Sequence, residues 1–171
     1  YDSAAWLRMH VWNFFSHENA RGSLPINWAF NPNLSERAPM VFDYVYEHKT
    51  DNDFFIAGDS GAGYVIPFGL TAACDYRENP PAIFEWAKYS KPYYERFDYD
   101  ITGFIINGNE TVTNEIMAAF NEISPKGSFH NSLARPITVY NGTPYLHLQN
   151  EVSGKPERIE ASIPEMYRYM T

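Results

Sequence analysis

The chain has 171 residues with a formal net charge of -8, and 44% of them are hydrophobic and 17% aromatic. A chain of this length and apolar content can build one real hydrophobic core, which excludes disorder as its main character. The acidic balance argues against nucleic acid and against an anionic membrane surface as partners, because both require clustered Lys and Arg. Cys74 is the single cysteine, so the chain can form neither an internal disulfide nor a cysteine-based zinc site.

The first half of the chain alternates between helical and extended patterns. Apolar spacing predicts an amphipathic helix over residues 3–15, and a short apolar run predicts a strand from Ile26 to Phe30. A second helix is predicted over residues 34–49, in which Pro39 either kinks the helix or begins its main part. The run from Phe54 to Gly58 predicts the next strand.

The second half continues the same alternation. Its predicted elements are a helix opened by Pro80 and Pro81, a strand in the segment ITGFIING, a helix over residues 112–123, strands at residues 128–130, 137–140 and 145–149, and a final helix beginning at Ser162. This order favours an α/β architecture with parallel strands and crossover helices. No apolar run approaches the roughly 20 residues of a membrane span.

The chain shows no internal linker, so we predict one α/β domain over residues 1–171. It begins at Tyr1 without a methionine and ends inside a predicted helix, and we expect it to be a fragment of a longer protein. A complete eight-stranded barrel usually needs about 250 residues. The chain could therefore supply about half of a barrel, or else an open doubly wound sheet.

A glycine-rich segment, GDSGAGY, follows the second predicted strand. Its glycines allow a backbone to approach a ligand closely. The lysine of a phosphate-binding loop is missing, however, and Asp59 puts a negative charge where an anion would bind. A neutral, hydroxyl-rich ligand suits this loop better, and a tight strand-to-helix turn that needs glycine is the alternative.

Hydrogen-bonding side chains follow the predicted strands at the edge where parallel sheets bind ligands. Amides, one or two carboxylates and flat aromatic rings suit sugar hydroxyls and the apolar faces of pyranose rings. The alternative is that Asn and Asp end strands because they form turns. We predict carbohydrate as the partner, with contacts from Trp28, Asn31, Ser60, Tyr64, Asn107 and His130.

Glycoside hydrolysis needs two carboxyl groups, one on each side of the scissile bond. Asp59 is the best-placed candidate and Asp2 is the second, although capping the first helix is the more ordinary role for Asp2. The histidines show neither HxxxH nor HExxH spacing, so we predict no metal and no other cofactor. The sequence around Ser60 also misses the GxSxG spacing of a serine nucleophile by one residue.

The segment Gly61 to Pro67, GAGYVIP, is similar to the signature of the bacterial GxGYxYP family, whose members are named putative glycoside hydrolases. The resemblance extends over most of the chain and is strongest from Tyr1 to Pro67. The family's second tyrosine is Ile66 here, which removes an aromatic hydroxyl from the signature.

This resemblance implies a barrel-like α/β domain, related to glycoside hydrolases and polysaccharide deacetylases and preceded by a smaller N-terminal domain. It also implies a secreted, periplasmic or cell-surface location in a bacterium and the hydrolysis of glycosidic bonds. A non-catalytic carbohydrate-binding protein and a metal-dependent carbohydrate esterase or deacetylase are the alternatives.

Overall fold

A computed structural model of the chain describes residues 11, 15, 16, 21–74, 81–108, 110–131 and 137–147. The strands are β1 (Ile26–Phe30), β2 (Asp53–Ala57), β3 (Ile101–Ile105), β4 (Gly127–His130), β5 (Ile137–Tyr140) and β6 (Thr143–His147), and the α-helices are α1 (Pro39–Glu47), α2 (Ile83–Phe97) and α3 (Asn114–Asn121). Short 3-10 helices, Pro32–Glu36 and Pro67–Leu70, follow β1 and β2. The predicted final helix, and the predicted first helix apart from residues 11 and 15, lie outside the described residues. None of the described helices is long and apolar enough to cross a membrane.

The strands form one six-stranded sheet in the order β1-β2-β3-β4-β6-β5. β1 to β4 and β6 run parallel, and β5 pairs antiparallel with β6. Each of the three α-helices connects two consecutive parallel strands, so the predicted α/β architecture with crossover helices is confirmed. The order from β1 to β4 follows the chain without the reversal of a doubly wound sheet. The described strands do not show a closed barrel.

The antiparallel strand β5 departs from the predicted parallel pattern, and a tight turn explains it. Asn141 and Gly142 connect β5 to β6 with φ angles of 48° and 84°. Two central residues with positive φ are typical of the type I′ turn, whose twist suits an antiparallel hairpin. Asn and Gly adopt that conformation at low cost, so the local sequence determines this hairpin.

Helix boundaries follow local chemistry. Pro39 is the first residue of α1, which decides between the two alternatives that the sequence left open. Its fixed φ and missing N–H suit the first turn of a helix. Thr113 caps α3, because its side chain accepts a hydrogen bond from the N–H of Ile116. Asp98 ends α2 in the left-handed conformation.

The three α-helices lie side by side on one face of the sheet. Phe42 of α1 contacts Phe97 of α2, with ring centroids 5.1 Å apart, and α2 and α3 bury their apolar residues in one common cluster. Phe55 of β2 packs against this cluster and against a second one around α1. Each large apolar side chain buried here contributes roughly 1.5–3 kcal/mol. The loops that follow the parallel strands lie at the carboxyl ends of those strands.

Candidate functional site

Five parallel strands end at one edge of the sheet, and polar residues gather there. We call this set of residues the carboxyl edge. It comprises the residues that end or follow β1, β2, β3, β4 and β6, namely Asn31, Asp59, Ser60, Asn107, His130, Asn131 and His147. Ligands of parallel α/β sheets bind at this edge. The topology therefore assembles polar groups from distant parts of the chain, as the sequence predicts.

The loop after β2 has an unusual backbone. Asp59 and Ser60 have φ angles of 56° and 64°, and Gly61 and Gly63 follow at 115° and 156°. Two consecutive non-glycine residues in the left-handed region carry a conformational cost that the surrounding structure must offset. Asp59 is only 2% exposed. The glycine-rich loop, residues 58–64, thus holds a carboxylate in a costly and buried conformation.

Hydrogen bonds from two other elements hold this loop in place. The N–H of Ser60 donates to Phe104 O at 2.7 Å, and the hydroxyl of Ser60 accepts from the N–H of Ile106 at 2.9 Å. The indole Nε1 of Trp86 donates to Ser60 O at 3.0 Å. The loop is therefore fixed to the end of β3 and to the first turn of α2. Because the Ser60 hydroxyl is buried and engaged within the protein, its predicted contact with substrate stays a prediction.

Two glycines of the loop are required by close neighbours. A Cβ atom at Gly63 would lie 2.9 Å from Cη2 of Trp86, and one at Gly61 would lie 3.2 Å from Oγ of Ser90. The same Ser90 hydroxyl accepts a hydrogen bond from the N–H of Ala62 at 3.3 Å. The loop consequently packs flat against α2: a Cβ at Gly63 would clash with the Trp86 ring, and one at Gly61 would require Ser90 to shift.

Asn31 brings the end of β1 next to this loop. Its side-chain oxygen accepts a hydrogen bond from the N–H of Asn33 at 3.2 Å and so caps the 3-10 helix that follows. The side-chain nitrogen Nδ2 of Asn33 lies 3.6 Å from the Cβ position of Gly63. Asn31 is buried, so its contribution within the described structure is to shape this part of the edge.

Asn107 joins three segments at the end of β3. Its Oδ1 accepts from the N–H of Phe68 at 2.8 Å, and its Nδ2 donates to Glu110 O at 3.0 Å. Its own N–H donates to Oδ1 of Asn131 at 3.1 Å. The side chain is fully buried. Asn107 therefore fixes the loops after β2, β3 and β4 relative to one another.

His130 lies at the end of β4, but its ring packs inside the core. The ring centroid is 6.4 Å from that of Phe120 and 5.3 Å from that of Tyr145. Burial, and to a lesser degree the charge of His147, lowers the pKa of His130 to about 3. The ring is thus neutral in the physiological range, and its two nitrogens have no hydrogen-bond partner among the residues that the structure describes. These contacts are those of a core residue, and the predicted substrate contact of His130 stays a prediction.

Trp28 lies away from the carboxyl edge. Its Nε1 donates to Oδ1 of Asp53 at 2.7 Å, and its ring packs 5.4 Å from that of Phe15. Asp53 begins β2, whereas Asp59 follows the end of that strand. At about 3.3 Å per residue, β2 puts about 13 Å between the Cα atoms of Asp53 and Ala57, and Asp59 lies two residues beyond the end of the strand. The structure therefore does not bring Trp28 together with Asp59, and its predicted role stays a prediction.

Asp53 is the centre of a separate charged group. Arg21 Nη1 lies 2.5 Å from its Oδ2, which also accepts from the N–H and the hydroxyl of Thr50. Burial alone would raise the pKa of Asp53, but the hydrogen bonds from Thr50 and Trp28 and the charge of Arg21 together lower it. This group stabilises the start of β2.

The remaining predicted site residues differ in accessibility. Tyr64 is 60% exposed at the end of the glycine-rich loop and can be reached by a ligand. Asp2 lies outside the described residues, so its predicted catalytic role stays a prediction. Among the described residues, the buried carboxylates are Asp53 and Asp59. No three His, Cys, Asp or Glu side chains in the described part of the chain come together as a metal site.

Sequence reasoning missed three residues near the edge. Trp86 fits the apolar face of a helix, and nothing in the sequence indicates its hydrogen bond to the glycine-rich loop. His147 ends β6, and its Nε2 lies 3.2 Å from Asn131 O. Glu110 is an exposed carboxylate whose backbone oxygen accepts from Asn107. The position of Glu110 shortly after the third predicted strand was the feature of the sequence that could have indicated this residue.

Comparison with known proteins adds the family. Residues 1–152 match the family described as "GxGYxYP putative glycoside hydrolase C-terminal domain". No curated protein shows significant sequence similarity. The crystal structure of a putative hydrolase from Bacteroides thetaiotaomicron VPI-5482 has a similar fold, with a TM-score of 0.67 and 16% sequence identity.

That similarity covers 89% of this chain but 30% of the Bacteroides chain, so the present chain spans less than a third of that protein's length. At this identity the likeness concerns the fold alone. The family match covers most of the chain and includes the signature segment from Gly61 to Pro67, which confirms the resemblance found in the sequence. The chain belongs to the GxGYxYP putative glycoside hydrolase family, in its C-terminal domain.

Proposed function

We propose that this chain carries part of the active site of a glycoside hydrolase, with Asp59 as one of its two catalytic carboxyl groups. The observation that carries the proposal is the position of Asp59, which is held in a left-handed conformation at the carboxyl edge. Costly backbone conformations in an over-determined setting cluster at functional sites. Membership of a family named for glycoside hydrolysis supports the same reaction class.

The reaction requires a second carboxyl group about 5–9.5 Å from the first, at a separation that depends on stereochemistry. Asp53 is too far away, because the whole length of β2, about 13 Å, separates it from the loop that carries Asp59. Asp2 is the second catalytic residue that we propose. Glu110 is a further candidate for this carboxyl group, since it is exposed and follows β3 at the same edge.

The proposed substrate contacts have unequal support. The exposed ring of Tyr64 offers a flat apolar surface for a pyranose. Asn31, Ser60 and Asn107 support the site by holding its loops through buried hydrogen bonds. For Trp28 and His130 the surrounding contacts favour a packing role.

We further propose that the chain is a single domain contributing to a (β/α) barrel of a secreted or cell-surface protein. Parallel strands in sequential order, with their crossover helices on one face, are what such a barrel requires. The opposite face of the sheet leaves Phe54 50% exposed, as expected if further strands curl over it. An experimental structure in which β1 pairs with another parallel strand would support the barrel, and a solvent-exposed edge on β1 would contradict it.

Carbohydrate binding without catalysis is the second candidate function. The observation that favours it is that the described carboxyl edge contains one buried carboxylate, Asp59. Amides and aromatic rings suffice for binding, whereas hydrolysis needs a second carboxyl group. No cluster of ligating side chains in the described residues supports the third alternative, a metal-dependent esterase or deacetylase.

The test is turnover of a panel of aryl glycosides and oligosaccharides by the wild-type protein and by the D59N variant. Asn keeps the size of Asp but can neither donate nor accept the catalytic proton, so we expect a loss of at least ~100-fold in kcat. D51N is the matched control, because it removes the same charge from an exposed turn before β2. Turnover by D59N at the wild-type rate would remove Asp59 from the mechanism. Retention of sugars without turnover by the wild-type protein would favour the second candidate.

A further inference from the structure

The outer face of α2 carries a row of aromatic rings. Trp86, Tyr89 and Tyr93 follow at spacings of three and four residues, which puts them on one face of the helix. Consecutive ring centroids are 5.5 Å apart in both pairs. Tyr89 is 48% exposed, and the other two rings are partly exposed. A different set of side chains buries α2 against the rest of the protein. Trp86 also packs against the core and the glycine-rich loop, so core packing leaves the rings of Tyr89 and Tyr93 unexplained.

A surface groove of about 400 Å³ is lined by Tyr89 and Tyr93 of this row. We call it the α2 groove, and its lining residues are Glu36, Lys88, Tyr89, Pro92, Tyr93 and Arg96. This volume is within the range of sites that bind small organic ligands. The groove combines flat rings with one carboxylate and two cationic side chains. It is therefore equipped both to stack on a ligand and to form hydrogen bonds with it.

The rings of the groove are already ordered. The hydroxyl of Tyr93 donates to Oε1 of Glu36 at 2.7 Å, and the Tyr89 hydroxyl lies 3.4 Å from that of Tyr93. The hydrogen bonds with Tyr89 and with Glu36 raise the pKa of Tyr93, so this phenol stays protonated. Side chains that are held before a ligand arrives lose less conformational entropy on binding. The groove is pre-organised in this sense.

We propose that the α2 groove is a second carbohydrate site, which binds an extended uncharged glycan beside the site of Asp59. The centroids of Tyr89 and Tyr93 are 5.5 Å apart, close to the length of one pyranose unit, and the ring planes are inclined by 57°, so that two neighbouring sugars of a twisted chain can each contact one ring. The Glu36 carboxylate offsets one of the two cationic side chains of the groove and accepts hydrogen bonds from hydroxyls. Lys88 and Arg96 donate to sugar oxygens.

The groove is connected to the carboxyl edge through Trp86. This residue begins the aromatic row and donates a hydrogen bond to Ser60 O in the glycine-rich loop. A glycan lying along α2 therefore leads towards Asp59. The choice of carbohydrate as the ligand rests on the proposed function, whereas the groove itself rests on the contacts of α2.

Retention of neutral polysaccharides in affinity electrophoresis tests the proposal. The probes are soluble xylan, glucan and mannan, run with wild-type protein and with the double variant Y89A/Y93A. We expect the double variant to lose at least ten-fold in affinity for the polysaccharide that the wild type binds. Y89F/Y93F keeps the rings and removes the hydroxyls, so we expect it to retain most of the binding.

F84A is the matched control, because Phe84 is an exposed aromatic residue of α2 that does not line the groove. Its retention should equal that of the wild type. Equal retention by Y89A/Y93A and the wild type, or no retention of any probe by the wild type, would overturn the proposal. D59N separates the two sites: it should lose turnover but keep retention. Turnover of short aryl glycosides by Y89A/Y93A should stay unchanged, and loss of that turnover would contradict a separate site.

Discussion

The indole Nε1 of Trp86 donates a hydrogen bond to the backbone oxygen of Ser60 at 3.0 Å. This bond joins the first turn of α2 to a loop in which Asp59 and Ser60 both adopt positive φ. The residues are 26 positions apart in the chain, so the bond forms only when α2 crosses back over the sheet. The position of the proposed catalytic carboxylate therefore depends on helix packing as well as on its own loop.

Gly63 is expected to tolerate no side chain. In G63A, the new Cβ would lie 2.9 Å from the Trp86 ring at a φ of 156°, so we expect a loss of roughly 1–3 kcal/mol in the free energy of unfolding. Urea denaturation measures this loss. G69A is the control, because nothing lies within 4 Å of its Cβ position, and equal stability of the two variants would contradict the close contact.

The side-chain hydroxyl of Ser60 forms a stabilising hydrogen bond, whereas the Ser60 backbone adopts an unfavourable left-handed conformation. Both S60A and S60G leave the partly buried N–H of Ile106 without its acceptor, which costs roughly 1–3 kcal/mol. Glycine also relieves the φ of 64°, so we expect S60G to be about 1 kcal/mol more stable than S60A. Denaturant titrations of the two variants test this order. The reverse order would show that the left-handed conformation is not a cost to the native state.

Asp53 is expected to stabilise the protein in its charged form. Its pKa is lowered in the folded state, so its contribution is present above the unfolded-state pKa of about 4 and disappears as the pH falls through the folded-state value. D53N should destabilise the protein by ~3 kcal/mol near pH 7, because it breaks a buried ion pair. The destabilisation should shrink on acidification. Unfolding measured from pH 7 to pH 3 would contradict this if the difference from wild type stayed constant, and D51N should unfold like wild type throughout.

His130 is expected to make the free energy of unfolding depend on pH, over a pH range higher than that of Asp53. Its pKa of about 3 in the folded state lies below the unfolded value of about 6.5. The unfolded chain therefore binds the additional proton between these values, and stability falls as the pH is lowered through the window, by at most about 1.4 kcal/mol per pH unit. H130L removes the titrating group. We expect its stability to change less than that of wild type between pH 6.5 and 4.5, and parallel pH profiles would contradict the buried neutral ring.

The sequence by itself determined the order of strands and helices and the position of the glycine-rich loop after β2. Apolar runs and turn residues act locally, so β1 and β5 lie where the pattern predicts them. The Asn141-Gly142 turn also carried enough information to predict the hairpin that the alternation of elements did not suggest. The family signature from Gly61 to Pro67 is likewise contained in one short segment.

Only the tertiary structure decided which polar side chains at the strand ends are engaged within the protein. Asn107 bonds to a residue 39 positions away, and Ser60 to one 46 positions away. No local pattern encodes these partners, because they meet only when the crossovers align the strands. The packing of His130 under α3 and the pairing of Trp28 with Asp53 at the other end of β2 have the same cause: the environment of a side chain depends on which distant segments fold against it.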